Sequence, residues 1–177
     1  MNDQIIFTPF FLDQPLGGLD DLVQPAWIVN RPDLPEGETQ EKMTALYEPL
    51  AASVETAVRE GKRPVSIAGD CCASLGMLAG LQRAELDPKL IWFDAHGDFN
   101  TWETSPSGFL GGMPLAWLVG LGEQTIPQGL GLNSLYEGKV TLTDARDLDP
   151  LEATAVASSA MNHLDLVSDL DSAPLPW

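Results

Sequence analysis

An α/β fold, three αβα layers built on a mostly parallel sheet, is predicted by three observations. Short apolar runs alternate along the chain with stretches whose apolar residues recur at helical spacing. One of those runs, Lys89-Leu90-Ile91-Trp92-Phe93, is the continuous apolar kind that forms a buried parallel strand, and such sheets need both faces covered. With 177 residues and 44% hydrophobic side chains, the chain is one domain's worth and long enough to bury a core.

Ile5-Ile6-Phe7-Thr8 reads as the first strand. A loop rich in Pro, Gly and Asp follows to about Gly37, with Ala26-Trp27-Ile28-Val29 as a short strand inside it. Over 41–60, Leu46, Leu50, Val54 and Val58 recur every fourth position, the pattern of an amphipathic helix. Thr39 is its expected cap, Gly61 its stop, and Pro49 falls in its middle. Pro64-Val65-Ser66-Ile67-Ala68 is a strand entering Gly69-Asp70, and 72–83 reads as a helix. Lys89 to Phe93 is the next strand, with Trp92 and Phe93 expected in the core. Pro114 starts a buried helix over 114–119. Residues 123–138 hold three glycines without phosphate-loop spacing and read as a connection. Lys139-Val140-Thr141-Leu142-Thr143 is a strand, and Asp149 caps a helix with Glu152 at the capping-box position. The acidic tail from Asp165 shows no periodicity.

Charge narrows the partners. Nine Lys and Arg against 26 Asp and Glu give a formal net charge of -17, the wrong sign for nucleic acid or an anionic membrane. Cationic ligands and metal ions fit that field. No basic leader precedes the apolar run at Ile5, which Pro9 cuts short, and no run approaches a membrane span. Cys71 and Cys72 are adjacent and cannot form an ordinary structural disulfide. The expected location is the cytoplasm.

The most informative segment is Asp94-Ala95-His96-Gly97-Asp98-Phe99-Asn100, which follows the strand ending at Phe93. Alternate residues of an extended chain point the same way, so Asp94, His96 and Asp98 are expected to converge at a strand's C-terminal end. Ligands of open α/β sheets bind there. Two carboxylates and an imidazole make a divalent-metal donor set, since burying two unpaired carboxylates side by side without a cation is costly. Asp144-Ala145-Arg146-Asp147 follows another strand and faces the same edge, where Arg146 reads either as an ion-pair partner of the surrounding aspartates, the favoured role, or as a binder of a substrate carboxylate.

Asp94, His96 and Asp98 resemble the D-A-H-x-D metal motif of the arginase/agmatinase (ureohydrolase) family. The likeness continues through Asn100 into Ser107-Gly108-Phe109-Leu110-Gly111-Gly112-Met113-Pro114, where the family reads S-G-N-x-H-G-x-P. Upstream, Gly69-Asp70-Cys71-Cys72 stands where the family has G-G-D-H-S. The resemblance is close over 65–119. It implies a single arginase-like domain over 1–177 and hydrolysis of a linear amidine or guanidino C–N bond by attack of metal-bound hydroxide. It implies a small cationic guanidino or amidine substrate and two Mn²⁺ ions, and leaves homo-oligomerisation open. By matching positions, Asp94 bridges both ions, while Asp98 and His96 each join one and serve the chemistry. Asn100 and Ser107 lie beside the substrate.

Three departures accompany it. The first-motif histidine is Cys71, a softer ligand that favours Zn²⁺ or Fe over Mn²⁺. The family's S-G-N asparagine is Phe109, and the histidine after it is Gly111, which makes arginine an unexpected substrate. The last metal motif, S-x-D-x-D-x-x-D-P, is matched only by Ser168-Asp169-Leu170-Asp171, so the C-terminal strands and that motif are expected to be missing. The alternative reading is therefore a non-catalytic, arginase-like binding protein. A third is thiol catalysis, with Cys71 or Cys72 as nucleophile and His96 as base.

Overall fold

The computed structural model of the chain describes residues 2–164. Its described backbone gathers into two compact units, one of residues 2–87 with 125–133, the other of 88–124 with 134–164.

In the first unit, β1 (Asp3–Thr8) is the middle strand of a parallel three-stranded sheet, between β4 (Ile28–Val29) and β5 (Arg63–Ala68). Ile6 and Phe7 project to opposite faces and both are fully buried, so both faces of β1 are covered. A small antiparallel hairpin, β2 (Phe10–Phe11) with β3 (Gln14–Pro15), follows β1.

Helix α1 (Thr39–Arg59) buries Met43, Leu46, Tyr47, Leu50, Ala51, Val54 and Ala57, so Leu46, Leu50 and Val54 of the expected stripe lie in the core while Val58 is only half-buried. Its cap is Glu38 rather than the expected Thr39, which is the first helical residue. Glu38 and Glu41 satisfy each other's backbone N–H groups, and two carboxylates at the positive end of a 21-residue helix are favourable. The helix runs through Pro49 and ends before Gly61, whose φ of +72° suits glycine. Helix α2 (Ser74–Arg83) follows a 3₁₀ turn over Cys71–Ala73, capped by Asp70 through the Cys72 N–H at 2.8 Å. It packs closely on α1 through Gly76 and Gly80.

In the second unit, β7 (Val140–Thr143) lies between β6 (Leu90–Phe93) and β8 (Asn162–Leu164), all parallel. All four β7 side chains are fully buried. Helix α3 (Pro114–Leu118), opened by Pro114 as expected, is buried throughout. Helix α5 (Pro150–Ser158) carries the expected Asp149–Glu152 capping box and leads from β7 to β8.

Three expectations change. Among the described residues β6 pairs only with β7, at the margin of this sheet, and it buries Trp92 on one face while Ile91 and Phe93 on the other are exposed. Trp92 is buried as expected, whereas Phe93 is 61% exposed and is not a core residue. The stretch 123–138 is not wholly a connection, because α4 (Thr125–Gly129) forms within it and belongs to the first unit. β8, three residues long with two exposed, carries no period for a sequence reading to detect. The tail from Asp165, with Ser168, Asp169 and Asp171, lies outside the described residues. No helix among the described residues is long and apolar enough to cross a membrane.

Candidate functional site

The parallel register of β6 and β7, Phe93 opposite Thr143, brings two loops to one edge of the sheet. These are 94–113 after β6 and 144–149 after β7. Asp94 N donates to Thr143 O at 3.3 Å and Asp147 N to Ala95 O at 2.9 Å, tying the loops together at their roots. This is the strand edge at which α/β sheets present ligand sites.

Asp94 and His96 come together. One Asp94 carboxylate oxygen accepts from the His96 backbone N–H at 2.9 Å and lies 3.2 Å from His96 Nδ1. Asp98 behaves differently. β6 ends at Phe93, and Asp98 adopts a left-handed φ of +49°, so the alternation of an extended chain does not reach it. Its side chain is 4% exposed, and its carbonyl accepts from Leu115 and Ala116 at the start of α3. As donors, Asp94 and His96 form a side-by-side carboxylate–imidazole pair that suits a divalent cation. Among the described residues, no three His, Cys, Asp or Glu side chains are gathered as an ion's shell.

The loop after β6 is fixed by the start of α5. Glu152, 3% exposed, accepts from Phe99 N at 2.9 Å and from Asp149 N at 3.1 Å. Burial pushes its carboxyl above the usual range, against the pull of those two N–H groups. Gly97 is required beneath it, since a Cβ there would lie 2.7 Å from the Glu152 carboxylate. Asn100 donates to Asp149 at 3.0 Å and accepts from the Thr104 hydroxyl at 2.9 Å.

These loops enclose a cavity of about 240 Å³. His96, Asn100 and Ser107, all expected at the site, line it, and so do Asp147, Asp149 and Glu152. Phe109, Gly111, Gly112 and Ser105 complete the wall, and none of the described lining residues is Lys or Arg. From the sequence, Glu152 is expected only in a helix cap, Asp149 as that cap and a neighbour of Arg146, and Ser105 has no expected role. The signal was three carboxylates within six residues, directly after a strand parallel to the one before Asp94. Arg146 pairs with Asp144, the structural part expected of it.

Cys71 belongs to the first unit, half-buried in the turn after β5, with Cys72 fully buried beside it. The Cys71 thiol, then burial and the charge of Asp70, hold Cys72 well above the usual thiol range. That disfavours Cys72 as a thiolate nucleophile.

The loops after two parallel strands of an α/β sheet thus bring His96, Asp147, Asp149 and Glu152 around one cavity, the strand-end placement of an α/β ligand site. The chain belongs to the Arginase family, whose sequence model matches residues 21–170. It is 34% identical over 137 residues to the arginase of Bacillus subtilis, a match covering 75% of this chain and 46% of that protein. To the arginase of Bacillus caldovelox it is 42% identical over 103 residues, covering 58% of this chain and 34% of the other. The crystal structure of the Bacillus subtilis arginase superimposes with a TM-score of 0.74 at 30% identity. That comparison covers 97% of this chain and 65% of the arginase, so the chain spans less than two thirds of the relatives it matches.

Proposed function

We propose that the protein to which this chain corresponds is a hydrolase of the ureohydrolase type, acting on a C–N bond of a linear amidine or guanidino group in a small cationic substrate. The cavity supports this most directly. It sets Asp147, Asp149 and Glu152 around a space of about 240 Å³ with no described cationic side chain to neutralise them. A guanidinium or amidinium is planar, delocalised and weakly hydrated, and it pairs well with carboxylates.

Asp94 and His96 would hold a divalent ion, with Asp98 as the further carboxylate that the family resemblance implies and Cys71 as its softer candidate ligand. The oxygen-rich donors favour Mn²⁺, and thiolate ligation by Cys71 would favour Zn²⁺ or Fe. A metal bound there supplies a Lewis acid and, by acidifying water, a nucleophile near neutral pH. The residues of the chain do the remaining work. Asp149 and Asp147 attract the cation, while Asn100, locked by Asp149 and Thr104, orders the wall against which it rests. Ser107 presents a hydroxyl whose oxygen already accepts from Phe109 N at 3.2 Å, which leaves its proton to donate.

Elemental analysis and a urea and ammonia assay across guanidino and amidino compounds test the reading on the full-length protein. Wild type should carry a divalent metal and turn over at least one compound, and Asp94→Ala should lose both. Metal content unchanged by Asp94→Ala, together with no product from any compound, would sink the hydrolase and leave the cation-binding protein. Gly111 favours that second reading, since a glycine at the family's histidine position can carry no proton.

A further inference from the structure

Phe109 and Gly111 occupy one wall of the cavity as a pair. The Phe109 side chain is 46% exposed, and its ring lies over Gly111. A Cβ added at Gly111 would stand 2.5 Å from both Cε1 and Cζ of that ring. Any other residue at 111 would therefore drive the ring from its place. The other walls are carboxylates and hydroxyls, and the polar groups on them are largely engaged. The Asn100 amide is held by Asp149 and Thr104, the Ser105 hydroxyl oxygen accepts from Gly108 N, and that of Ser107 from Phe109 N. No described lining residue is a Lys or Arg that could pair with a carboxylate on the substrate's tail, and three carboxylates oppose it.

We infer that Phe109 is a specificity residue whose ring stacks on a planar amidinium or guanidinium, that Gly111 exists to admit the ring, and that the substrate is a carboxylate-free amidine or guanidine with an apolar or aromatic substituent. This rests on the cavity being the cation site but not on hydrolysis. Planarity matters because a delocalised cation can lie flat on a ring while its N–H edges meet carboxylates. An aromatic or alkyl substituent then extends along the phenyl rather than against polar groups that are already paired.

Binding to the full chain by titration calorimetry tests the inference with benzamidine, its neutral isostere benzamide, and guanidinium. Wild type should bind benzamidine and guanidinium, and benzamide at least tenfold more weakly. Phe109→Leu keeps apolar bulk but loses the ring, and should weaken benzamidine by about 5- to 30-fold. Phe109→Tyr should restore it. Gly111→Ala should weaken it in the wild-type background and have no further effect on Phe109→Leu, since the methyl acts only by displacing the ring. Benzamidine bound equally well by Phe109→Leu, or an equal loss from Gly111→Ala in both backgrounds, overturns the role of Phe109 while leaving the cation site standing. Failure of wild type to bind either cation overturns the inference and the cation site together.

Discussion

Glu152 does two jobs that pull its acidity in opposite directions. As a capping-box residue it accepts two backbone N–H groups, which favours its anion. As a buried wall of an acidic cavity it is desolvated, and that effect is larger, so its pKa is raised. An acid whose folded-state pKa lies above its unfolded value contributes stability that is complete below the unfolded value. That contribution is lost as pH rises through the folded one. Glu152→Gln removes the titration, so wild type should lose stability relative to the variant as pH rises above 4.5, the ordinary value for glutamate. Urea midpoints of both proteins from that value upward check it, and a constant difference would show that Glu152 ionises as freely in the fold as in the unfolded chain. The site was legible in the sequence as far as chemistry follows from spacing within one loop. Asp94 and His96 meet beyond the strand, in a local turn where the Asp94 carboxylate accepts from the His96 backbone N–H, rather than by strand alternation. Asp98 does not share their backbone conformation, because a strand's alternation ends where the strand ends, and that point depends on pairing with β7. Glu152 came closest to being read, yet its second role needed the packing of Gly97 beneath it.

Elements were legible where a period ran long enough. The 21 residues of α1 repeat their apolar stripe over several turns, so its core positions followed from the sequence. α4, five residues containing Pro127 and Gly129, shows barely one turn and was hidden among glycines. β8 is shorter still. The contact between α1 and α2 was invisible for a different reason, since it depends on what glycines lack. A Cβ at Gly80 would meet the Ala51 carbonyl oxygen at 2.4 Å and Val54 Cβ at 2.6 Å. One at Gly76 would meet Leu50 Cδ2 at 2.9 Å, with the Tyr47 carbonyl oxygen farther off at 3.1 Å. Alanine is favoured over glycine inside a helix by about 1 kcal/mol, and overpacking costs about 1–3 kcal/mol. At Gly80 the obstacle includes a helix backbone that cannot step aside, so Gly80→Ala should be destabilising by the upper part of that range. Gly76→Ala should be milder, because Leu50 can change rotamer. Denaturant midpoints of the two variants, measured side by side, decide it, and equal costs would mean that the helices part as easily as a side chain turns.

Across the whole molecule, surplus negative charge is the feature that most affects stability in solution. Asp and Glu outnumber Lys and Arg by 26 to 9, and among the described residues at least seven of those nine cations are ion-paired, Arg83 with Glu48 and Arg63 with Asp3 among them. Little cationic charge remains to offset the other carboxylates, so compaction works against a net charge of -17. Salt acts on this in two ways. It weakens the pairs, most of which are exposed and worth about 0–1 kcal/mol each. It also screens the repulsion among the surplus carboxylates, which are more numerous and spread over the surface. The Debye length falls from about 30 Å at 10 mM to about 8 Å at 150 mM, a change that reaches long-range repulsion far more than contacts of a few ångströms. Repulsion should therefore win, and the thermal midpoint should rise by several degrees between those ionic strengths in potassium chloride. Mild acidification toward the pI of about 4.1 should raise it too, until the Glu48 carboxylate, held below its usual range by Arg83, begins to protonate and its contribution is lost. Scanning calorimetry at a series of chloride concentrations measures the balance. A midpoint that falls with salt would mean the seven ion pairs, rather than the surplus of carboxylates, set the electrostatic stability of the chain.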